Sequence, residues 1–122
     1  MDWKLELIVL PVSDIDRAKA FYRDKAGFAV DVDVTVGEDM RIVQLTPPGS
    51  ACSIVLGDGI TASAPGSAQV QIVVGDIEAA HADFAARGLD LGEIQVMPWG
   101  RFLFFSDPDG NRWSLQEIPE RD

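Results

Sequence analysis

The chain repeats itself. Val12-Ser13-Asp14-Ile15-Asp16 returns 62 positions later as Val74-Gly75-Asp76-Ile77-Glu78, and Ala18 and Ala20 return as Ala80 and Ala82. At a spacing of 61, Gly27 matches Gly88, and Thr46-Pro47-Pro48-Gly49 matches Asp107-Pro108-Asp109-Gly110. Two matched stretches in the same order restrict the fold to two copies of one supersecondary unit. A single unit would leave a sheet face bare, so the copies must pair, within the chain or across a dimer.

Each copy reads as βαβββ. In the first, Trp3–Val12 is an almost wholly apolar run, the pattern of a strand covered on both faces. Ser13 or Asp14 caps a helix that runs to about Lys25 and closes at Ala26-Gly27. Strands are expected over Phe28–Val36, Met40–Leu45 and Ala51–Leu56. In the second, Gln69–Val74 is a strand, Asp76 caps a helix ending at Gly88, and Leu89–Met97 is a strand. The last two strands form the hairpin of Arg101–Glu117, closed by Asp107-Pro108-Asp109-Gly110. Gly57–Ser67 (GDGITASAPGS) is the linker candidate. The expected organisation is one α+β domain over 1–122, with modules at 1–57 and 68–122 joined by a linker at 58–67.

Composition bounds the partners. The 122 residues carry a formal charge of −10 and 47% hydrophobic residues. That balance argues against nucleic acid and against an anionic membrane surface. In electrostatic terms it favours a cationic ligand, although acidic surfaces usually serve solubility. No run reaches the ~20 apolar residues of a membrane span, and the N-terminus lacks the basic region of a signal peptide. One cysteine, Cys52, excludes an internal disulfide. A cytoplasmic protein is the expectation.

No Ser–His–Asp set, phosphate loop or close acid pair is visible, and Tyr22, Glu6, Asp58, Glu93 and Arg101 remain as unselected acid–base candidates. Asp14 and Asp76 read as helix caps, and Asp107 and Asp109 as turn residues. Trp3, Phe104, Phe105 and Trp113 read as core. The single histidine, His81, falls on a solvated helix position.

The paired modules, with VSDIDRAKAFY, VGDIEAA and PWGRFLFFSDPDGN, resemble the vicinal oxygen chelate superfamily of glyoxalase I, bleomycin resistance proteins and extradiol dioxygenases. The resemblance covers about Leu5 to Glu117, and Trp99-Gly100-Arg101-Phe102 is similar to the bleomycin-resistance and glyoxalase-like branch. It implies two modules curled around a cleft, and a homodimer. It also implies a divalent metal held by His and Glu at four strand positions. Carried over through the repeat, those positions are Leu7, Ser53, Gln69 and Ser114. None is a His or a carboxylate, and a leucine, a neutral amide and two hydroxyls make a poor divalent site. No metal or other cofactor is therefore expected, unless the positions are misassigned.

If the family frame holds, Ser53, Gln69, Ser114 and Gln116 point inward. They form either a polar floor for a neutral ligand or a structural network among themselves. Trp99 and Arg101 stand at the cleft mouth, or Trp99 plugs the core or a dimer interface. The expected function is metal-free binding of a small molecule, with sequestration of an antibiotic or metabolite as the role. The alternative is a metal-free enzyme, a glyoxalase-like lyase, isomerase or cyclase acting on a small carbonyl or epoxide. A metal-dependent glyoxalase or dioxygenase ranks last.

Overall fold

The computed structural model describes residues 1–118. The order is β1 (Leu7–Val9), α1 (Ile15–Ala20) continuing as a π-helical turn (Phe21–Lys25), β2 (Ala29–Val36), β3 (Met40–Thr46) and β4 (Ser53–Gly57). The second half follows with β5 (Gln69–Val73), α2 (Ile77–Ala86), β6 (Gln95–Met97), β7 (Gly100–Ser106) and β8 (Arg112–Glu117). Two four-stranded sheets result, ordered β1-β4-β3-β2 and β5-β8-β7-β6. In each, the first and last strands of the module pair in parallel and the rest are antiparallel. This is the α+β arrangement of two βαβββ units. Residues 119–122 of the expected second module lie outside the described residues.

The caps behave as their chemistry requires. Asp14 accepts the Arg17 N–H and Asp76 accepts the Ala79 N–H, each at 3.0 Å, satisfying a donor that the first helical turn leaves free. Two strands are shorter than hydrophobicity suggests. Of Trp3–Val12, only Leu7–Val9 pairs, and Leu7 and Val9 keep one face open rather than covered. Of Leu89–Met97, only Gln95–Met97 pairs. Gly92, at φ +67°, gives its N–H to the Asp90 carboxylate in a turn that interrupts the run.

One core serves both modules. Leu45, Ile54 and Leu56 pack under α1, Leu103, Phe105 and Leu115 pack under α2, and Tyr22, Phe28 and Trp113 join the two groups. At the join lies a polar tie. The Tyr22 hydroxyl donates to Asp107 Oδ2 at 2.7 Å and accepts from Trp113 Nε1 at 2.8 Å. Asp107 also accepts from the backbone N–H groups of Asp109 and Asn111 and from Asn111 Nδ2. Asn111 in turn donates to the Pro11 carbonyl and accepts from the Ala68 N–H. The hairpin turn thus holds the end of β1, the helical segment of the first module and the end of the linker.

The repeat does not carry this tie to the other junction. The counterparts of Tyr22, Asp107, Asn111 and Trp113 are Phe84, Thr46, Ser50 and Cys52. Where the second tie would sit there are two hollows. One of about 320 Å³ lies beside Pro47, Pro48 and Phe84, and one of about 380 Å³ beside Pro48, Cys52 and Ile72.

Burial, reinforced by the hydrogen bond to Asp107 and its charge, pushes the Tyr22 hydroxyl well above its usual range. A pKa raised in the folded state means that this stability is intact below the unfolded value, about 10. It is lost as pH rises through the folded one. Tyr22 is the only tyrosine, so tyrosinate absorbance reports it alone. We expect that absorbance to appear only together with loss of the circular dichroism signal; ionisation near pH ~10 in a folded protein would contradict the tie. Tyr22→Phe leaves Trp113 Nε1 unpaired and removes one donor from Asp107. It should cost about 1–3 kcal/mol in urea denaturation.

Candidate small-molecule site

Alternation along β8 splits its side chains between two environments. Trp113, Leu115 and Glu117 face α2, opposite Phe105, Leu103 and Arg101 of β7. Arg112, Ser114 and Gln116 take the open face, opposite Ser106, Phe104 and Phe102. The parallel pairing of β5 with β8 adds Gln69, Gln71 and Val73 to that open face.

The amides and the hydroxyl on this face form a directed chain. Ser114 Oγ donates to Gln71 Oε1 at 3.0 Å, Gln71 Nε2 donates to Gln116 Oε1 at 2.7 Å, and Gln116 Nε2 donates to the Trp99 carbonyl at 3.1 Å. Each amide nitrogen keeps a second hydrogen, and the serine keeps a lone pair. Beside the chain stand the parallel rings of Phe102 and Phe104, 6.1 Å apart and 10° from coplanar. Phe102 is buried, whereas Phe104 is 42% exposed and Trp99 62% exposed. Gln69, Phe104, Ser106, Arg112 and Ser114 border a hollow of about 310 Å³. The arrangement offers a flat apolar ring surface edged by neutral donors and acceptors.

The residues singled out from sequence are distributed unevenly. Gln69, Ser114 and Gln116 share the open face of the second sheet. Trp99 supplies its carbonyl to the chain and leaves its indole exposed. Leu7 and Ser53 are neighbours on the first sheet, where Ser53 is buried against Thr46 Oγ1 at 2.6 Å. Ser53 lines a different hollow from Gln69 and Ser114. Across from Ser114 stands Gln71, not Gln69, two residues along β5 and therefore on the same face. Arg101 lies on the helix face. Its guanidinium donates to Glu117 at 2.8 and 3.0 Å and to Glu78 at 3.2 Å, away from the amide chain.

Gln71, Phe104 and Arg112 were not among the sequence candidates for the site. Phe104 had read as core together with Trp3, which is also exposed, whereas Phe105 and Trp113 are core. The hairpin register would have separated Phe104 from Phe105, because Phe104 pairs with Ser114 and Phe105 with Trp113. The four carried-over metal positions present leucine, two hydroxyls and an amide, and Gln71 in place of Gln69 leaves that chemistry unchanged. Such a set does not fit a divalent cation. Among the described residues no three His, Cys, Asp or Glu side chains come together as a metal site. No helix of the described residues is long and apolar enough to cross a membrane.

Residues 4–115 match the Glyoxalase/Bleomycin resistance protein/Dioxygenase superfamily. The protein YetH of Bacillus subtilis (strain 168) is 30% identical over 115 residues, 90% of this chain and 94% of YetH. The crystal structure of TnmS3, an antibiotic binding protein from Streptomyces sp. CB03234, superposes with a TM-score of 0.85 at 34% identity, covering 97% of this chain and 98% of TnmS3. A glyoxalase/bleomycin resistance protein from the same Streptomyces strain gives 0.80 at 35% identity, covering 93% of this chain and all (100%) of that one.

Glu117 is the fastener of this sheet on its helix side. Its Oε2 accepts the Ile77 N–H at 2.8 Å at the start of α2, while Oε1 takes Arg101. The Ile77 hydrogen bond, followed by the Arg101 guanidinium, holds its carboxyl below the ordinary glutamate range. A lowered pKa means stability that is present above the unfolded value and lost as pH falls through the folded one. Glu117→Gln should flatten the acid limb of the stability–pH curve measured by thermal melts below pH ~5. An acid limb as steep as that of the unsubstituted protein would show that Glu117 is not the fastener.

Proposed function

The chain belongs to the Glyoxalase/Bleomycin resistance protein/Dioxygenase superfamily, and from that premise we propose that it binds a planar small molecule without a metal, on the open face of the second sheet, and sequesters it unchanged. The observation that carries this reading is the Ser114–Gln71–Gln116 chain beside the exposed Phe104 ring. The metal-free part is supported by the donor set: the positions that the resemblance assigns to metal ligands hold Leu7, Ser53, Gln69 and Ser114, none of them anionic. The similarity to an antibiotic binding protein supports an antibiotic or a comparable metabolite as the ligand. The proposal includes a cytoplasmic location, since a single cysteine, Cys52, leaves no internal disulfide that would need an oxidising compartment.

The test is a titration followed by tryptophan fluorescence, using a fused-ring aromatic polyketide and a cationic glycopeptide as probes, with and without excess EDTA. The expected result is saturable quenching by the polyketide that EDTA leaves unchanged. Trp99→Phe should reduce its amplitude, and the ligand should be recovered intact by mass spectrometry. Quenching abolished by EDTA, or absent with both probes, would overturn the reading. A chemically altered ligand would replace binding by catalysis, the lyase or isomerase alternative.

The reading includes a homodimer. Leu7, Val9, Val32, Val34, Val36 and Met40 stand on the open face of the first sheet, each more than a third exposed. An apolar sheet face of this extent is a typical subunit surface, and Trp3–Val12 has the sequence of a strand covered on both sides. We place a second copy there, completing with its own second sheet a cleft that neither chain closes alone. Light scattering should give twice the chain mass, and Val34→Glu should yield a folded monomer. A monomer for the unsubstituted protein would remove this part of the proposal.

A further inference from the structure

The ligand carries an anionic group, and Arg112 is its seat: this is what we infer from the distribution of charge over the second sheet, resting on the cleft reading above. Six of the described basic side chains have a carboxylate partner: Arg17, Lys19, Arg23, Arg41, Arg87 and Arg101. Three do not. Lys4 lies in the exposed segment before β1, and Lys25 reaches Gly88 at the end of α2, where a cation meets the carbonyl end of a helix. Arg112 has neither excuse. It stands on the open face of β8, opposite Ser106 and alongside Gln69, with no carboxylate within ion-pair distance among the described residues.

The face around it is as informative. Its other outward-facing strand residues, from Gln69 and Gln71 of β5 across Phe102 and Phe104 of β7 to Ser114 and Gln116 of β8, are all uncharged. In a chain with twenty acidic residues, this face carries no Asp or Glu on any of its four strands. The one acid in β8, Glu117, is turned to the helix side. A guanidinium without a counter-ion is fully able to take a carboxylate through two parallel N–H···O bonds. The hollow of about 310 Å³ that Arg112 borders with Phe104 and Ser114 suits one or two fused rings. The geometry therefore selects a planar aromatic acid, its ring on Phe104 and its carboxylate on Arg112, against the cationic ligand that the net charge alone would favour.

The test uses 2-naphthoate and its neutral isostere 2-naphthamide, titrated by calorimetry into the full chain. The acid should bind about tenfold more tightly than the amide, and the ratio should fall to about twofold or less in Arg112→Gln. Arg112→Lys should keep an intermediate preference, since an ammonium supplies charge without the planar fork. Phe104→Ala should weaken both probes together. Equal affinity for acid and amide, or a preference that survives Arg112→Gln in protein with an unchanged melting temperature, would overturn the role of Arg112 and leave the cleft in place. Failure of both probes, while the aromatic polyketide quenches, would exclude small aromatic acids as the class. Failure of all three would remove the cleft reading itself.

Discussion

The hydrogen bond from Tyr22 to Asp107 is the point at which two modules become one protein. Either module could form its own hairpin and its own helix cap from local chemistry. What they cannot do separately is bury Trp113, whose indole N–H needs an acceptor once it is shut away from solvent. Tyr22 provides it and donates its own hydrogen bond to a carboxylate that already accepts three from the turn. A buried carboxylate is costly unless its lone pairs are filled, and here they are filled by groups from both ends of the chain. The shared core forms around that arrangement.

Much of the fold was legible because its punctuation is local. Asp14, Asp76, Gly88 and the Asp107–Gly110 turn each do what their side chains dictate within a few residues, and their recurrence revealed the repeat. The lengths of β1 and β6 were not legible. A strand ends where its partner ends, and the hydrophobicity of Trp3–Val12 says that something covers the run without saying whether it is this chain or another copy. Leu89–Met97 misled for a different reason: the turn at Asp90–Gly92 is polar and short, and it sits inside an otherwise extended pattern.

The site was half legible. Strand alternation by itself puts Arg112, Ser114 and Gln116 on one face, as the hairpin register has them, and the same rule across the hairpin puts Arg101 on the opposite face with Glu117. The identity of the partner on β5 depended on a two-residue stagger between parallel strands, which no local signal encodes. Net charge says little about the site. It is a sum over the whole surface, whereas a ligand meets one face, and on the open face of the second sheet the balance is inverted.

The polar tie also has a direction in time. Tyr22 and Asp107 are separated by 85 residues, and Asn111 and Pro11 by 100. During vectorial synthesis the first module emerges with its helix, its Asp14 cap and its three strand pairings, but its tyrosine has no partner until the final hairpin has left the ribosome. Until then, Phe28 and Tyr22 present an aromatic surface to the surrounding solution. A chain built this way carries the requirement for its last hairpin in its first helix, and its aromatic join is complete only when both are free to meet.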